Sequence, residues 1–205
     1  MRPNIVFLRE TLVHAEKACA FFHLLRPSWH CYVVNSVGKS GGLLVSWDPN
    51  SFDLVPYITC GGMLLTSIDL ESKRQISLLN IYGPCSERKQ LWERLEKSGL
   101  LALKNLVIAG NLNLTLSSGE IWGGTNTLGT LTSFFTNYFH KNKLIDIVPE
   151  TLVPIRRNDR AGTESISKRL DRSLIYEDLL ALVGVYRAWV EFSYIFLSCP
   201  DCTTT

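Results

Sequence analysis

No stretch of this sequence approaches the roughly 18 consecutive apolar residues that a membrane-spanning helix requires. The N-terminus also lacks the layout of a secretory signal, because Arg9 and Glu10 break "IVFLRETLV" after four apolar residues. A soluble intracellular protein, with no membrane partner, is expected. An excess of one charge is missing too. Lys and Arg total 21 against 19 Asp and Glu, and the net charge of +2 is too mild to argue for nucleic acid by itself. Internal repeats and low-complexity linkers are absent. Of the six cysteines, those at 19, 31, 60 and 85 are scattered singly among apolar or loop positions. That distribution reads as buried free thiols in a reducing compartment. "CPDC", Cys199 to Cys202, has metal or redox spacing but no second pair near it, so the tail does not support a zinc site.

What remains is a globular composition. The chain has 205 residues, 46% of them hydrophobic and 20% charged, enough for one domain with a substantial core. "NIVFLRE" reads as a short buried strand, Ile5 to Leu8, that delivers Glu10 at its end. "TLVHAEKACAFFHLL" reads as a helix with Leu12, Ala15, Cys19 and Phe22 on one face. "CYVVNS", "GGLLVSWDP", "FDLVPYI", "MLLTSIDL" and "QISLLNIYGP" follow as strands. Their short connections point to antiparallel pairing. "SERKQLWERLEKSG" is a surface helix with Ser86 as its N-cap and Glu93 four residues before Lys97. "NLVIAGN" is a buried strand. "LGTLTSFFTNYFHKNKL" is a second helix whose face carries Leu131, Phe134, Phe135, Tyr138 and Phe139. "RLDRSLIY" reads as a strand, "EDLLALVG" as a short helix and "YRAWVEFSYIFL" as a final strand. The pattern predicts an α/β sandwich: two mixed, mainly antiparallel sheets packed face to face, with helices on the outer faces.

Taken singly, the polar residues at strand ends have plain structural readings. Glu10 suits the start of a helix. Tyr82 is an aromatic at the core edge before a turn. Asn111 and Asn113 are amides able to bond their own backbone. Asp171 in "RLDRSL" sits between Arg169 and Arg172, where it could bridge both. "KSGG" lacks the spacing of a phosphate-cradling loop.

Their order carries more. "FLRET", "LNIYGP", "AGNLN" and "RLDR", together with "GKSGGLLVSWDP", "RKQLWERL", "SGEIWGG" and "NDRAGTESISKRLDRSL", resemble the motif series of the endonuclease/exonuclease/phosphatase superfamily. More narrowly, they resemble the endonuclease domain of plant LINE-type (non-LTR) retrotransposons. The resemblance covers roughly Pro3 to Tyr194. It implies a four-layer, DNase I-like α/β sandwich forming a single domain over residues 1–205, magnesium as cofactor, DNA as partner, a nuclear or cytoplasmic monomer, and hydrolysis of a DNA phosphodiester. It assigns metal binding to Glu10, a place near the scissile phosphate to Tyr82, orientation of substrate or nucleophile to Asn113, and support of the site to Asp171. A DNA-facing surface would fall on Lys39, Arg156, Arg157, Arg160, Lys168 and Arg169.

The sequence also departs from the family. The pattern Gly-Asp-x-Asn stands here as Gly110-Asn111-Leu112-Asn113. Asn111 occupies the place of the aspartate that polarises the attacking water, and an amide of the same shape has no charge and is no base. The family's first strand, with its metal-site asparagine, and its closing Ser-Asp-His strand have no counterpart in the motif series. No histidine lies beyond His140. The expectation is an endonuclease-like domain with impaired catalysis. The alternatives are a residually active phosphodiesterase using Glu10 and Asp171, and a non-enzymatic nucleic-acid-binding module.

Overall fold

A computed structural model describes residues 3–11, 13–37, 40–123, 128–154, 156–157, 165–183, 187–191 and 194–198. The chain divides into two compact units, one of Met1–Tyr82 with Leu103–Gly110 and the other of Gly83–Ala102 with Asn111–Thr205.

The first unit is built from the β-branched and aromatic runs. β1 (Ile5–Arg9) and β2 (His30–Val37) flank β3 (Ser40–Trp47), both antiparallel to it. β4 (Phe52–Thr59), β5 (Gly62–Asp69) and β6 (Gln75–Tyr82) form an antiparallel meander, and β7 (Leu106–Asn111) is the next neighbour after β6. Leu43, Val45 and Trp47 of β3 bury against Leu54, Met63 and Leu65 of the meander, with Ile5, Phe7 and Tyr82 packed around them. The other side of β3 presents Leu44 to Ala18 and Phe22 of α1 (Ala15–Leu25), closed by Trp29. This unit is therefore helix on sheet on sheet. β6 and β7 lie very close at Gly110, where a Cβ would stand 1.9 Å from the Ile81 carbonyl oxygen, so only glycine fits.

In the second unit α2 (Arg88–Lys97) and α3 (Thr132–Lys141) close over an aromatic core. Trp92, 1% exposed, meets Phe135, Tyr138 and Phe139 edge-on at 5.0–6.3 Å between ring centroids. The Tyr138 hydroxyl donates to the Trp92 carbonyl and to Glu96. Burial, then the Glu96 carboxylate beside it, push that phenol well above its ordinary range. β8 (Ile121–Trp122), β10 (Arg156–Arg157) and β11 (Ser167–Lys168) form a small ladder in the order β10-β11-β8. β9 (Leu144–Asp146) pairs antiparallel with β12 (Asp171–Tyr176), which leads straight into α4 (Glu177–Val183). β13 (Arg187–Glu191) pairs with β14 (Tyr194–Ser198).

The α/β class with mainly antiparallel sheets matches the sequence reading. Four details differ. The final "YRAWVEFSYIFL" is two strands of a hairpin rather than one strand. α1 starts at Ala15, and Ala18 rather than Ala15 joins Phe22 in the core; Leu12 lies outside the described residues. The N-cap of α2 is Glu87 in left-handed backbone, one residue beyond Ser86. On α2 the ion pair at helical spacing is Lys89 with Glu93, at 3.7 Å, where Glu93 with Lys97 was expected.

Candidate functional site

In the first unit β1 ends at Arg9, and Glu10 turns the chain with φ 52°. Left-handed backbone costs a residue with a Cβ about 1 kcal/mol or more, and such conformations gather at functional sites. Tyr82 closes β6, its ring packed against the core cluster. Its hydroxyl donates a hydrogen bond to Glu10 Oε1. The residue expected to hold metal and the tyrosine expected near the phosphate thus meet, although 72 residues separate them in sequence.

In the second unit the polar residues after Gly110 form a tight knot. Asn111 and Asn113 are 7% and 8% exposed. Asn111 Oδ1 accepts the backbone N–H of Asn113 at 2.9 Å. This is the local amide–backbone bond that asparagine offers at turns, as the plain reading of these two residues expects. Asn113 takes φ 51°, which asparagine tolerates. Its Nδ2 donates to the Gly83 carbonyl, and the Gly83 N–H donates to the Asn111 carbonyl at 2.6 Å. A Cβ on residue 83 would stand 2.8 Å from the Leu112 carbonyl oxygen, so the knot closes only on glycine. Arg88, first residue of α2, donates to the Asn113 carbonyl. The Leu112 N–H bonds the Leu170 carbonyl at 3.0 Å and ties the knot to the "RLDR" segment.

That segment holds a feature the sequence did not expose. Asp171 opens β12 half-buried, but it is not what Arg169 and Arg172 bridge. Both guanidiniums, each residue 1% exposed, converge on Glu120 and Asp146. Arg169 Nη1 lies 2.8 Å from Glu120 Oε1 and 2.8 Å from Asp146 Oδ2, and its Nη2 lies 2.9 Å from Asp146 Oδ1. Arg172 reaches Glu120 Oε2, Asp146 Oδ2 and the Leu114 carbonyl. Glu120 Oε2 also accepts the Leu116 N–H at 2.7 Å. Burial alone would raise the Glu120 carboxyl. The hydrogen bond and charge of Arg172, the Leu116 N–H and the Arg169 hydrogen bond outweigh it and hold the carboxyl below its usual range. The cluster pins the Leu114–Glu120 loop that follows Asn113. "SGEIWGG" put Glu120 on view, but two arginines around an aspartate hid the fact that their partners come from elsewhere.

Of the residues expected to face DNA, Arg169 is therefore buried and engaged internally. Lys168 is half-buried and lines a cleft of about 300 Å³ in the second unit with Arg88, Asn113, Thr115, Thr132 and Phe135. Arg156 and Arg157 form β10 beside it, and Lys39 and Arg160 lie outside the described residues. Among the described residues no three His, Cys, Asp or Glu side chains are grouped to hold a metal. Glu10 offers one carboxylate, which suits a magnesium ion that keeps most of its own waters and not a closed protein cage. No helix among the described residues is long and apolar enough to cross a membrane.

Comparison with solved structures places this arrangement in a known fold. The chain is similar to the endonuclease domain of TRAS1, a telomere-specific non-LTR retrotransposon, with a TM-score of 0.66 and 15% identity over 97% of this chain and 99% of that one. It is similar to truncated TDP2 of Caenorhabditis elegans, with a TM-score of 0.58 and 13% identity over 94% of this chain and 77% of that one. The human nocturnin catalytic domain gives a TM-score of 0.52 and 14% identity over 96% of this chain and 73% of that one. Scans of protein-family models and of curated proteins found no match. At these identities the likeness shows the fold, which is DNase I-like.

Proposed function

We propose that this chain is an endonuclease-like domain of LINE-retrotransposon type, of plant origin, whose ancestral reaction is hydrolysis of a DNA phosphodiester and whose catalysis is impaired. The observation that carries the reading is the end of β7. There Asn111 presents an amide oxygen to the Asn113 N–H, in a pattern where the resembled family has a carboxylate. An amide oxygen carries no charge and takes no proton from water at neutral pH. The similarity of the fold to the TRAS1 endonuclease domain supports the assignment of class.

The proposed roles are those the family resemblance implies for each residue. Asn113 orients a substrate oxygen or the nucleophile. Tyr82 stands near the scissile phosphate, its hydroxyl donating to Glu10. Glu10 is the residue that would hold magnesium, which when bound supplies positive charge against the phosphate and the leaving oxygen. Asp171 supports the site from the start of β12. DNA is the proposed partner and the nucleus or cytoplasm the proposed compartment, with the protein acting as a monomer.

The test is nicking of supercoiled plasmid with magnesium by the chain as it stands and by Asn111→Asp. The acceptor used by the turn is an oxygen that both residues possess, so the substitution keeps the knot and restores the charge. Wild type is expected to give no nicking above a Glu10→Gln background. Loss of such a group commonly costs orders of magnitude in rate, and losses within one catalytic unit do not add simply. Recovery of nicking in Asn111→Asp therefore assigns the impairment to the missing carboxylate, and a folded but inactive Asn111→Asp assigns it to the other departures from the family pattern as well. Robust wild-type nicking that survives Asn111→Ala would overturn the assignment of impairment.

A second reading rests on the cleft at Asn113. Its lining by Arg88 and Lys168 favours salt-dependent nucleic-acid binding without cleavage.

A further inference from the structure

Read singly, the cysteines look like isolated thiols, but two of them meet. Cys19 on α1 and Cys31 on β2 stand with their sulfurs 2.8 Å apart, about 0.8 Å beyond the ~2.05 Å length of a disulfide. Both are half-buried, so a small reagent can reach them.

The surroundings say what a bond there would do. α1 is 11 residues long, and an isolated helix of that length is marginal in water. It buries only Ala18 and Phe22, while Phe21, Leu24 and Leu25 on its outer face are 62–81% exposed. No side chain caps its start at His14. Instead the Ala15 N–H donates to Asn35 Oδ1 of β2 at 2.8 Å. The helix is thus held to β2 by one polar bond, a small apolar cluster and the sulfur contact. Five residues before its start lies Glu10 in left-handed backbone.

We propose that Cys19 and Cys31 form a reversible disulfide that fastens α1 to β2 and thereby restrains the segment carrying Glu10. The oxidant is a low-molecular-weight disulfide. The Cys19 thiolate attacks one of its sulfurs, the reagent's S–S bond breaks, and one small thiolate leaves and takes up a proton. Cys31 then gives up its proton and attacks the Cys19 sulfur, displacing the second small thiol. Two protein thiols are oxidised and one external disulfide is reduced to two thiols. A dithiol runs the sequence backwards. Burial, with the hydrogen bond and charge of Cys19, pushes Cys31 up to about 12, which suits Cys31 to the resolving step.

The test exposes the full chain to oxidised glutathione or to a reducing dithiol and compares the two. Trypsin does not cut Arg26–Pro27, so Cys19 and Cys31 share the peptide of residues 18–39. That peptide is expected to lose two hydrogens in mass, while Cys60 and Cys85 gain glutathione adducts. In a Cys60→Ser, Cys85→Ser background the oxidised form is expected to melt roughly 5–10 °C higher. Amides of residues 10–25 should exchange more slowly in it. A peptide 18–39 carrying glutathione on both sulfurs, or left unmodified, would overturn the proposal. So would an oxidised form that melts and exchanges like the reduced one.

Discussion

Glu120 shows how one side chain can decide the order of a loop. It receives both buried arginines and the Leu116 N–H, so its removal leaves two guanidiniums uncompensated in the interior. Glu120→Gln is expected to cost about 3–5 kcal/mol, the range for breaking a buried charge cluster from one side, as measured by urea unfolding. The same residue sets a pH dependence. Its folded-state value is depressed below the ordinary 4.5, so its contribution is fully present above about 4.5 and is lost as pH falls through the depressed value. Wild-type stability should therefore drop on acidification below that point. The Glu120→Gln protein should lack this part of the loss. These partners were not legible in sequence. Glu120 lies 49 residues from Arg169 and Asp146 lies 23, and no local pattern records such pairings. Glu10, Tyr82, Asn111 and Asn113 were singled out in the sequence by the order of the motifs that carry them, since each alone has a plain structural reading.

At the scale of elements, the strands of the first unit were readable from their apolar, β-branched runs and short connections. The closing hairpin was not. The run "YRAWVEFSYIFL" carries no glycine, proline or asparagine to divide it, so it read as one strand. The pairing of β6 with β7 depends on a single absent side chain. Gly110→Ala would put a Cβ 1.9 Å from the Ile81 carbonyl oxygen, and backbone cannot yield as a flexible side chain can. The expected cost is about 3 kcal/mol or more, read from denaturant melts, with the largest loss of amide protection in Gln75–Asn111.

For the whole molecule, charge is the property that matters for a DNA partner. A net +2 gives little long-range attraction, so any affinity must come from local cations such as Arg88 and Lys168 at the cleft. Binding to duplex DNA is expected to weaken steeply with salt. Lys168→Ala should reduce the slope of log K against log salt by about 1 without changing sequence preference. Titration by fluorescence anisotropy at several salt concentrations reads both quantities.

The turn at Asn111 has a consequence for inheritance. Codons for asparagine and aspartate differ at their first base alone, and the turn asks only for the side-chain oxygen that both residues share. The hydrogen bond of the turn is therefore open to either residue. A copy that exchanges the acid for the amide keeps this turn. On the proposed reading, one transition at that base exchanges the amide for the carboxylate, and only selection acting on activity would register the exchange.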